Sequence, residues 1–532
     1  MLEAMKKRRT LLFLALMAAT AVLLSVPYLV PHTGALMLVG FVPLLIMDRL
    51  ASEEGVKRFW LWHYGTFLLW NSITTFWVCN ATVGGGIFAA LANALQMSLV
   101  FGFYRLMKKR MDGVLPYIFL AAAWIAWEKY YLDLAEITWP WLVLGNGFAG
   151  SIRTIQWYEW TGTLGGSLWV WASNLAIFGS MVALSDGRWY RWNVKARAAL
   201  VTAVTLVILG PVVTSSILWR TYEETDNPVE VLMLQPNIDP YHKFESLTQD
   251  EQDDILLELL DKAAEPGILV LAPETFTREV ETNNLPASSR TARKLIEACQ
   301  RNGEMNILFG ATTFTTGVPE SHTSTTYKGI TYEQHNSAII VDSSARAEIY
   351  HKSKLVPGVE SSPYPGFSVP LENLLGGNLM GKDIGQEERS VLHYRSGGRD
   401  IPIGCAVCYE SVYGNFCREY IEKGAQILAV ITNDAWWGDT PGYRQHLRYA
   451  SLRAIETRRD IARCANTGIS AIINQRGEVV ASTPWWQKAT LRGTVNANTA
   501  QTFFVKSGDV VGKLSVFVFS LLLLAGFVRK RK

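Results

Sequence analysis

The sequence predicts a polytopic bundle of about eight membrane-spanning helices joined to a soluble α/β domain. Three observations support this fold class. Apolar runs are confined to residues 1–220 and 511–528, the segment 221–510 has the composition of a soluble domain, and basic clusters separate the apolar runs. Hydrophobic residues make up 49% of the 532 residues and charged residues 18%, whereas soluble proteins are about a quarter charged. The net charge of +3 is too small to indicate a nucleic-acid partner.

Eight apolar runs predict the helices of the bundle. Six of them approach the roughly 20 residues that a helix needs to cross a bilayer, namely residues 10–30, 59–79, 85–106, 165–184, 198–218 and 512–528. Two shorter runs, 34–48 and 114–127, are interpreted as spans because dropping either one alone would put basic clusters on both sides of the membrane. The basic clusters are Lys6–Arg9, Val56–Arg58, Lys108–Arg110, Arg188–Arg197 and Arg529–Lys532.

The basic clusters also predict the direction of the chain in the membrane. Lys and Arg collect in cytoplasmic loops, so eight spans leave the segment 221–510 outside the cytoplasm, which is the periplasmic side of a bacterial inner membrane. The first run could instead be a cleaved signal peptide, but no clear small-x-small cleavage site follows it, and we expect an uncleaved helix. We therefore predict seven spans in 1–220, an extracytoplasmic domain in 221–510, and a last span with a basic tail in 511–532.

Two links on the outer side, Ile137–Gly147 and Trp157–Gly166, are rich in tryptophan. Interfacial Trp and Tyr usually anchor helix ends at the membrane surface. We interpret these residues as anchors, with contact to a lipid or a substrate as the alternative.

The segment 221–510 predicts a layered α/β domain. Val229–Gln235 and Gly267–Glu274 are apolar runs typical of strands, and the spacing of apolar residues predicts helices at Gln249–Ala263, Ser288–Gly303 and Gly442–Arg459. In such domains, functional side chains collect where strands end.

Three predicted strand ends carry reactive side chains, namely Glu274, Lys352 and Cys408. A carboxylate, an ammonium and a thiol are the groups needed for acyl transfer through a thioester. The carboxylate takes the thiol proton, the thiolate attacks a carbonyl, and the ammonium stabilises the oxyanion. Each residue taken alone has an ordinary explanation, as a solvated carboxylate, a surface lysine or a core cysteine.

Cys405 and Cys408 form a Cys-x-x-Cys pattern that could indicate a metal or redox site. Side chains three apart on a strand point to opposite faces, so we expect Cys405 to face away from Cys408. Neither Cys417 nor Cys464 supplies a second ligand pair at metal spacing. We predict one nucleophile, Cys408, and no metal.

Longer motifs around these residues resemble a known family. "APE" at Ala272–Glu274, "YHKSKLVP" at Tyr350–Pro357, "CYE" at Cys408–Glu410 and "NDAWWG" at Asn433–Gly438, in this order, resemble the carbon–nitrogen hydrolase (nitrilase) superfamily over about residues 229–495. Together with the spans and with "WPWLVLGNG", "LQPNI" and "NTGISAII", they resemble the apolipoprotein N-acyltransferase family.

The resemblance implies a nitrilase-like αββα sandwich with a Glu274–Lys352–Cys408 triad and no cofactor. It implies a second glutamate at Glu360, although "VPGVE" here departs from the family's "VPFGE". Tyr409 and Glu410 match the residues that follow the nucleophile and are expected to shape its pocket.

The implied reaction transfers a fatty acyl chain from a phospholipid, most often phosphatidylethanolamine, to the α-amine of the diacylglyceryl-cysteine of an apolipoprotein. Two alternatives stay open from the residues alone. A membrane-bound amidase acting on a small amide would use the same triad, and a catalytically silent receptor or scaffold would keep the fold.

Delivery of a lipid to Cys408 requires an apolar entry from the membrane, because each exposed methylene costs about 0.8 kcal/mol. We expect its walls to include Phe244, the Leu355–Glu360 loop and Trp437 in Ala435–Gly438. The alternative for Trp436 and Trp437 is that they are ordinary core aromatics.

Overall fold

The fold was analysed in a computed structural model that describes residues 2–240, 243, 246–374 and 380–528. Helices and strands are numbered in chain order. The helices are α1 (Leu2–Leu29), α2 (Val42–Glu53), α3 (Trp60–Thr75), α4 (Val78–Ala81), α5 (Val83–Lys108), α6 (Leu115–Asp133), α7 (Tyr158–Thr161), α8 (Thr163–Ser185), α9 (Arg188–Arg191), α10 (Val194–Thr221), α11 (Gln249–Asp261), α12 (Arg290–Asn302), α13 (Pro365–Leu374), α14 (Gly414–Glu422), α15 (Pro441–Thr457), α16 (Phe503–Ser507) and α17 (Val510–Val528).

The strands all lie between α10 and α16. They are β1 (Pro228–Gln235), β2 (Leu269–Leu271), β3 (Thr277–Glu281), β4 (Asn306–Thr316), β5 (Thr325–Tyr327), β6 (Ile330–Asp342), β7 (Ala347–His351), β8 (Leu392–Ser396), β9 (Arg399–Val407), β10 (Ile427–Thr432), β11 (Ile461–Ala465), β12 (Ala471–Ile473), β13 (Val479–Ser482) and β14 (Ala489–Asn496).

A helix lies in each of the eight predicted apolar runs, which are α1, α2, α3, α5, α6, α8, α10 and α17. Six segments of the described chain are long and apolar enough to cross a membrane, namely Lys6–Leu29, Gly34–Glu53, Val83–Lys108, Thr163–Ser185, Val194–Thr221 and Val510–Val528. The other two helices are α3, with 16 residues, and α6, with 19. The polytopic helical bundle is confirmed, and about eight remains an approximate count. The basic tail predicted at 529–532 lies outside the described residues.

The first tryptophan-rich link folds back into the bundle instead of lying on its surface. It forms two short 3₁₀ helices, Pro140–Leu142 and Leu144–Phe148, which are buried. The Tyr28 hydroxyl donates to the Val143 carbonyl oxygen at 2.9 Å. Trp141 is only 1% exposed, so the anchor interpretation is wrong for this residue.

Two β-sheets pack face to face between two layers of helices, which confirms the αββα sandwich. One sheet has the strand order β14-β1-β2-β4-β6-β5, with β3 beside β4 and β7 beside β6, and the other has the order β13-β12-β11-β10-β9-β8. Alternation along β1 explains the layers, because successive side chains point to opposite faces of a strand. Val231 and Met233 pack with the second sheet, whereas Leu232 and Leu234 pack with α11 and α12.

Among the elements of the sandwich that were not predicted from the sequence, strand β14 and helix α13 have identifiable reasons. Strand β14 pairs with β1 along all eight residues of β1, yet most of its side chains are exposed or half-buried, so it lacks the apolar alternation of the predicted strands. Helix α13 contains Pro365 and Pro370, and proline normally argues against a helix interior.

Candidate active site

Three predicted side chains converge on one cavity at the edge of the sandwich. Glu274 follows β2, Lys352 follows β7, and Cys408 follows β9. The first two strands belong to one sheet and β9 belongs to the other. All three side chains line a cavity of about 500 Å³. The expectation that they end strands and lie together is confirmed, whereas their catalytic roles remain predictions.

Lys352 lies between two carboxylates. Its Nζ is 3.2 Å from Glu274 Oε1 and 2.8 Å from Glu360 Oε1, and its side chain is 1% exposed. Burial lowers the pKa of Lys352, but Glu274 and Glu360 outweigh that effect, so the pKa lies well above its ordinary value. Lys352 therefore remains a charged ammonium. Glu360 contacts it, although the loop sequence before Glu360 differs from the family's motif.

Asn336, which was not predicted from the sequence, also contacts both carboxylates. Its Nδ2 donates to Glu274 Oε1 at 2.8 Å and to Glu360 Oε1 at 2.9 Å. Its main-chain carbonyl oxygen accepts from the Lys352 backbone N–H at 2.7 Å. Because its neighbours His335 and Ser337 in β6 are polar too, no local pattern in the sequence singles out Asn336. Asn336 holds the two glutamates and the lysine in one cluster.

Cys408 occupies a strained turn. Its φ is 52°, in the left-handed region that non-glycine residues seldom adopt, and it begins the 3₁₀ helix Cys408–Val412. Burial and the neighbouring Glu274 raise the pKa of the Cys408 thiol well above its ordinary value. The resting thiol is therefore protonated and needs a base to react.

Cys405 lies in a different environment, as expected. It is fully buried in the core between the sheets, whereas Cys408 is partly exposed and lines the cavity. In the described part of the chain, no group of three or more His, Cys, Asp or Glu residues could hold a metal ion.

Glu410 joins the nucleophile strand to the lysine loop. Its Oε2 accepts from the Val407 N–H at 2.8 Å, and its Oε1 accepts from the Ser353 N–H at 2.6 Å and from the Tyr350 hydroxyl at 2.7 Å. The side chain is fully buried and does not line the cavity. Glu410 thus fixes the distance between the backbone turns that carry Cys408 and Lys352.

Tyr409 connects the sandwich to the membrane bundle. Its hydroxyl donates to the Thr138 carbonyl oxygen at 2.8 Å, and the Tyr413 hydroxyl lies 2.6 Å from Thr138 Oγ1. Tyr409 also lines the cavity, so this predicted pocket residue has a second contact that ties the nucleophile turn to the link after α6.

The cavity has two chemically different walls. The charged wall consists of Glu274, Lys352, Glu360 and Cys408 from the sandwich. The apolar wall comes mainly from the bundle, and its members are Val78, Ala81, Thr82, Gly85, Phe88, Ala89, Ala92, Trp139, Trp141 and Trp437. The residues from α5 recur every three or four positions, which puts them on one face of the helix. The small side chains of Gly85, Ala89 and Ala92 leave a groove beside the reactive groups, whereas Phe88, Asn93 and Gln96 of the same helix add larger side chains to the lining.

The predicted entry residues differ in outcome. Val356, Pro357, Val359, Trp436 and Trp437 line the cavity. Trp437 also packs against Trp77, with ring centroids 4.8 Å apart, and its carbonyl oxygen accepts from Asn80 at 2.9 Å. Phe244 lies outside the described residues, so its expected role stays a prediction.

Two residues near Lys352 point away from the cavity. The Lys354 ammonium lies 5.3 Å from the Tyr413 ring centroid and reaches towards the carbonyl oxygens of Leu132 and Asp133. His351 stacks on His335 with ring centroids 4.2 Å apart. Neither Lys354 nor His351 lines the cavity.

Comparison with known proteins agrees with this architecture. The sequence model of the family described as "Carbon-nitrogen hydrolase" matches residues 233–503, which is half of the chain. The protein therefore belongs to the carbon–nitrogen hydrolase family. Residues 20–176 match the "Apolipoprotein N-acyltransferase N-terminal domain". Within its family, the chain therefore groups with the apolipoprotein N-acyltransferases.

Two relatives named apolipoprotein N-acyltransferase match nearly end to end. The one from Chlorobaculum tepidum is 28% identical, with 94% of this chain and 93% of the relative covered. The one from Geobacter metallireducens is 26% identical, with 96% and 94% covered. Among solved structures, Saccharomyces cerevisiae Nit3, a member of the nitrilase superfamily, matches 54% of this chain and 95% of its own at 12% identity and a TM-score of 0.37.

Proposed function

We propose that this protein is an apolipoprotein N-acyltransferase that moves a fatty acyl chain from a phospholipid to a lipoprotein amine through a thioester on Cys408. The observation that supports it most directly is the composition of the cavity. A thiol, a buried ammonium and a carboxylate share it with an apolar groove along a helix of the membrane bundle. A small-amide hydrolase has no need of such a groove, whereas a phospholipid donor must bring its acyl chain out of the bilayer.

The first half-reaction forms the thioester. Glu274 takes the proton of the Cys408 thiol as Sγ attacks the ester carbonyl carbon of the phospholipid. The ammonium of Lys352 stabilises the oxyanion, a contribution of about 3–4 kcal/mol in comparable sites. The tetrahedral intermediate then breaks its C–O bond, the lysophospholipid oxygen receives the proton from Glu274, and the acyl chain stays on Sγ.

The second half-reaction transfers the chain to the acceptor. The neutral α-amine of a diacylglyceryl-cysteine attacks the thioester carbonyl, and Glu274 takes a proton from the amine. When the C–S bond breaks, Cys408 recovers that proton and an amide is formed. Because Glu274 serves as base and then as acid in each half-reaction, one carboxylate is sufficient.

The apolar helices are consistent with a multi-pass membrane protein. We further propose that the membrane is the bacterial inner membrane and that the sandwich faces the periplasm. A reporter enzyme active only outside the cytoplasm is expected to be active when fused after Asn227 and inactive when fused after Lys532. The reverse pattern would contradict both the topology and the lipoprotein acceptor.

The decisive experiment traps the thioester. Wild-type protein incubated in vesicles of phosphatidylethanolamine is expected to gain the mass of one acyl chain on Cys408. Cys408→Ala should gain none, and Cys408→Ser should react at most very slowly, because a hydroxyl is a far poorer nucleophile without a stronger base. Cys405→Ala is the matched control and should keep substantial activity, because Cys405 lies in the core.

Two results would redirect the interpretation. Acylation that survives Cys408→Ala would exclude the thioester mechanism. Release of free fatty acid at the same rate with and without a diacylglyceryl-peptide acceptor would indicate a hydrolase.

A further inference from the structure

The turn that presents Cys408 needs support beyond its own strand. A non-glycine residue with φ of 52° persists only where the surrounding structure over-determines it. On the N-terminal side, the support is the bond from the Val407 N–H to Glu410. On the C-terminal side, the atom to be held is the carbonyl oxygen of Cys408.

His446 contacts that carbonyl oxygen from α15. Its Nε2 is 3.0 Å from Cys408 O, and the Ser411 hydroxyl donates to the same oxygen at 2.8 Å. A carbonyl oxygen can only accept, so Nε2 is the donor in this contact. Nε2 also lies 2.9 Å from Ser411 Oγ, and the contact of Nδ1 with a carboxylate calls for an N–H on that nitrogen as well. No family motif in the sequence analysis pointed to His446.

A second layer of contacts fixes the orientation of the imidazole ring. His446 Nδ1 is 2.9 Å from Asp434 Oδ1, and the Arg463 guanidinium donates to Asp434 Oδ2 at 2.6 Å. The three side chains are 0% exposed. Burial raises the pKa of Asp434, but Arg463 and His446 outweigh it, so the pKa lies well below its ordinary value and the carboxylate is ionised.

None of these three side chains lines the cavity, although Asn433 beside Asp434 does. A direct role on the substrate is therefore excluded for His446 in this arrangement. A buried ion pair can also serve stability alone, but here the cluster ends in a hydrogen bond on the main chain of the nucleophile.

We propose that His446, oriented by Asp434 and Arg463, is a positioning residue that holds the Cys408 turn so that the thiol points into the cavity. The inference rests on the proposed function, because it assumes that Cys408 is the nucleophile. If this proposal is right, the rate of acyl-enzyme formation depends on the Nε2 hydrogen-bond donor and not on the size of the ring.

Two substitutions test the roles of the two ring nitrogens of His446 separately. The amide nitrogen of His446→Gln can reach the position of Nε2, so this variant keeps the donor to Cys408 O. The amide of His446→Asn reaches only as far as Nδ1, so this variant keeps the Asp434 contact and loses the donor. His322→Asn, at an exposed histidine, is the matched control.

The assay measures kcat and KM for acyl-enzyme formation with phosphatidylethanolamine vesicles, together with the alkylation rate of Cys408 by iodoacetamide and Tm. Displacing reacting atoms by about 1 Å can cost roughly 100-fold in rate. We expect His446→Asn to lower kcat about tenfold or more and to slow alkylation, with KM within about twofold. His446→Gln should stay within about threefold of the wild type.

Equal kcat values for the Asn and Gln variants, at whatever level, would overturn the proposal and leave His446 a stability residue. If His446→Asn does not fold, Asp434→Asn replaces it, since an unoriented imidazole should also lower kcat; an unchanged kcat would overturn the proposal. If the proposed function is wrong, the result is different. Wild type would then form no acyl-enzyme, but the alkylation rates of the variants would still show whether His446 positions the Cys408 thiol.

Discussion

The two walls of the cavity are built by different forces. The charged wall is held by short polar contacts, such as the 2.8 Å and 3.2 Å pairs of Lys352 with Glu360 and Glu274. The apolar wall is held by aromatic packing and close helix contacts, such as the stacked rings of Trp139 and Trp141 at 4.8 Å. Polar networks depend on exact geometry, because each unpaired buried group is costly. Apolar walls tolerate changes of shape that keep the volume. Substitutions in the charged wall should therefore affect the chemistry, and substitutions in the apolar wall should affect the choice of substrate.

The largest effect is expected at Lys352. Lys352→Ala should lower acyl-enzyme formation by about 100-fold or more, because it removes the ammonium and leaves two carboxylates close together. Lys352→Arg should also fail, since a planar guanidinium does not replace a compact ammonium. The measurement is single-turnover acylation followed by mass spectrometry.

Lys354→Ala is the control for this prediction. Lys354 lies over Tyr413, outside the cavity, so the loss should be much smaller. Similar losses from the two alanine variants would mean that the assignment of Lys352 to oxyanion stabilisation is wrong.

Filling the groove of the apolar wall should give the next largest effect. Ala89→Phe would occupy space on the cavity face of α5. Excluding two acyl methylenes, at about 0.8 kcal/mol each, corresponds to roughly a tenfold loss with a long-chain phospholipid. Short-chain phospholipids and iodoacetamide should react nearly as before.

Leu95→Phe tests the same helix on its outer face, because Leu95 is 50% exposed and does not line the cavity. It should leave all three reactions unchanged. A loss that is equal for long and short chains in Ala89→Phe would show that the groove does not hold the acyl chain.

Trp437→Ala should give a smaller effect of the same kind. The side chain closes the apolar wall beside Trp77 and Trp141, so its removal widens the cavity without touching the charged wall. We expect a loss of a few fold with long-chain phospholipid, measured against labelling by a small thiol reagent. Trp486→Ala, at a partly exposed position away from the cavity, is the control.

If both reactions of Trp437→Ala fell together, the residue would be supporting the fold or His446, whose ring lies 5.6 Å from it. The same prediction made from the sequence for Phe244 stands untested.

The smallest expected effect is a pH dependence of the free energy of unfolding that comes from His351, the residue before Lys352. Burial, and then His335, lowers the pKa of His351 from 6.5 to about 4. The unfolded state then binds more protons between pH 6.5 and 4, so stability is present above pH 6.5 and is lost as the pH falls. Going from pH 7 to 5 should cost about 1–2 kcal/mol of unfolding free energy.

Thermal unfolding in detergent measures this effect, and His351→Gln should flatten the pH dependence. His322→Gln, at an exposed site, should leave it unchanged. An unaltered pH slope in His351→Gln would mean that other groups carry the acid sensitivity.

The charged wall was largely predictable from the sequence and the apolar wall was not. Glu274, Lys352 and Cys408 end predicted strands, but the sequence motifs around them, and not periodicity, singled them out, and the same family resemblance pointed to Glu360. The contacts of Asn336 and His446 depend on register between distant strands and helices, which local patterns do not contain. Gly85, Ala89 and Ala92 look like any small residues of an apolar helix, and only the packing of α5 beside the sandwich gives them a role. Edge strand β14 shows the same limit, because its exposed side chains leave no apolar pattern.

The raised pKa of the Cys408 thiol has a consequence for the survival of the protein. Oxidants attack the thiolate and not the thiol. A cysteine that must work outside the cytoplasm, as we propose, would be exposed to disulfide-forming conditions. Because burial and Glu274 raise the pKa of the Cys408 thiol, and because Cys405 is sealed in the core, we expect Cys408 to oxidise slowly at rest.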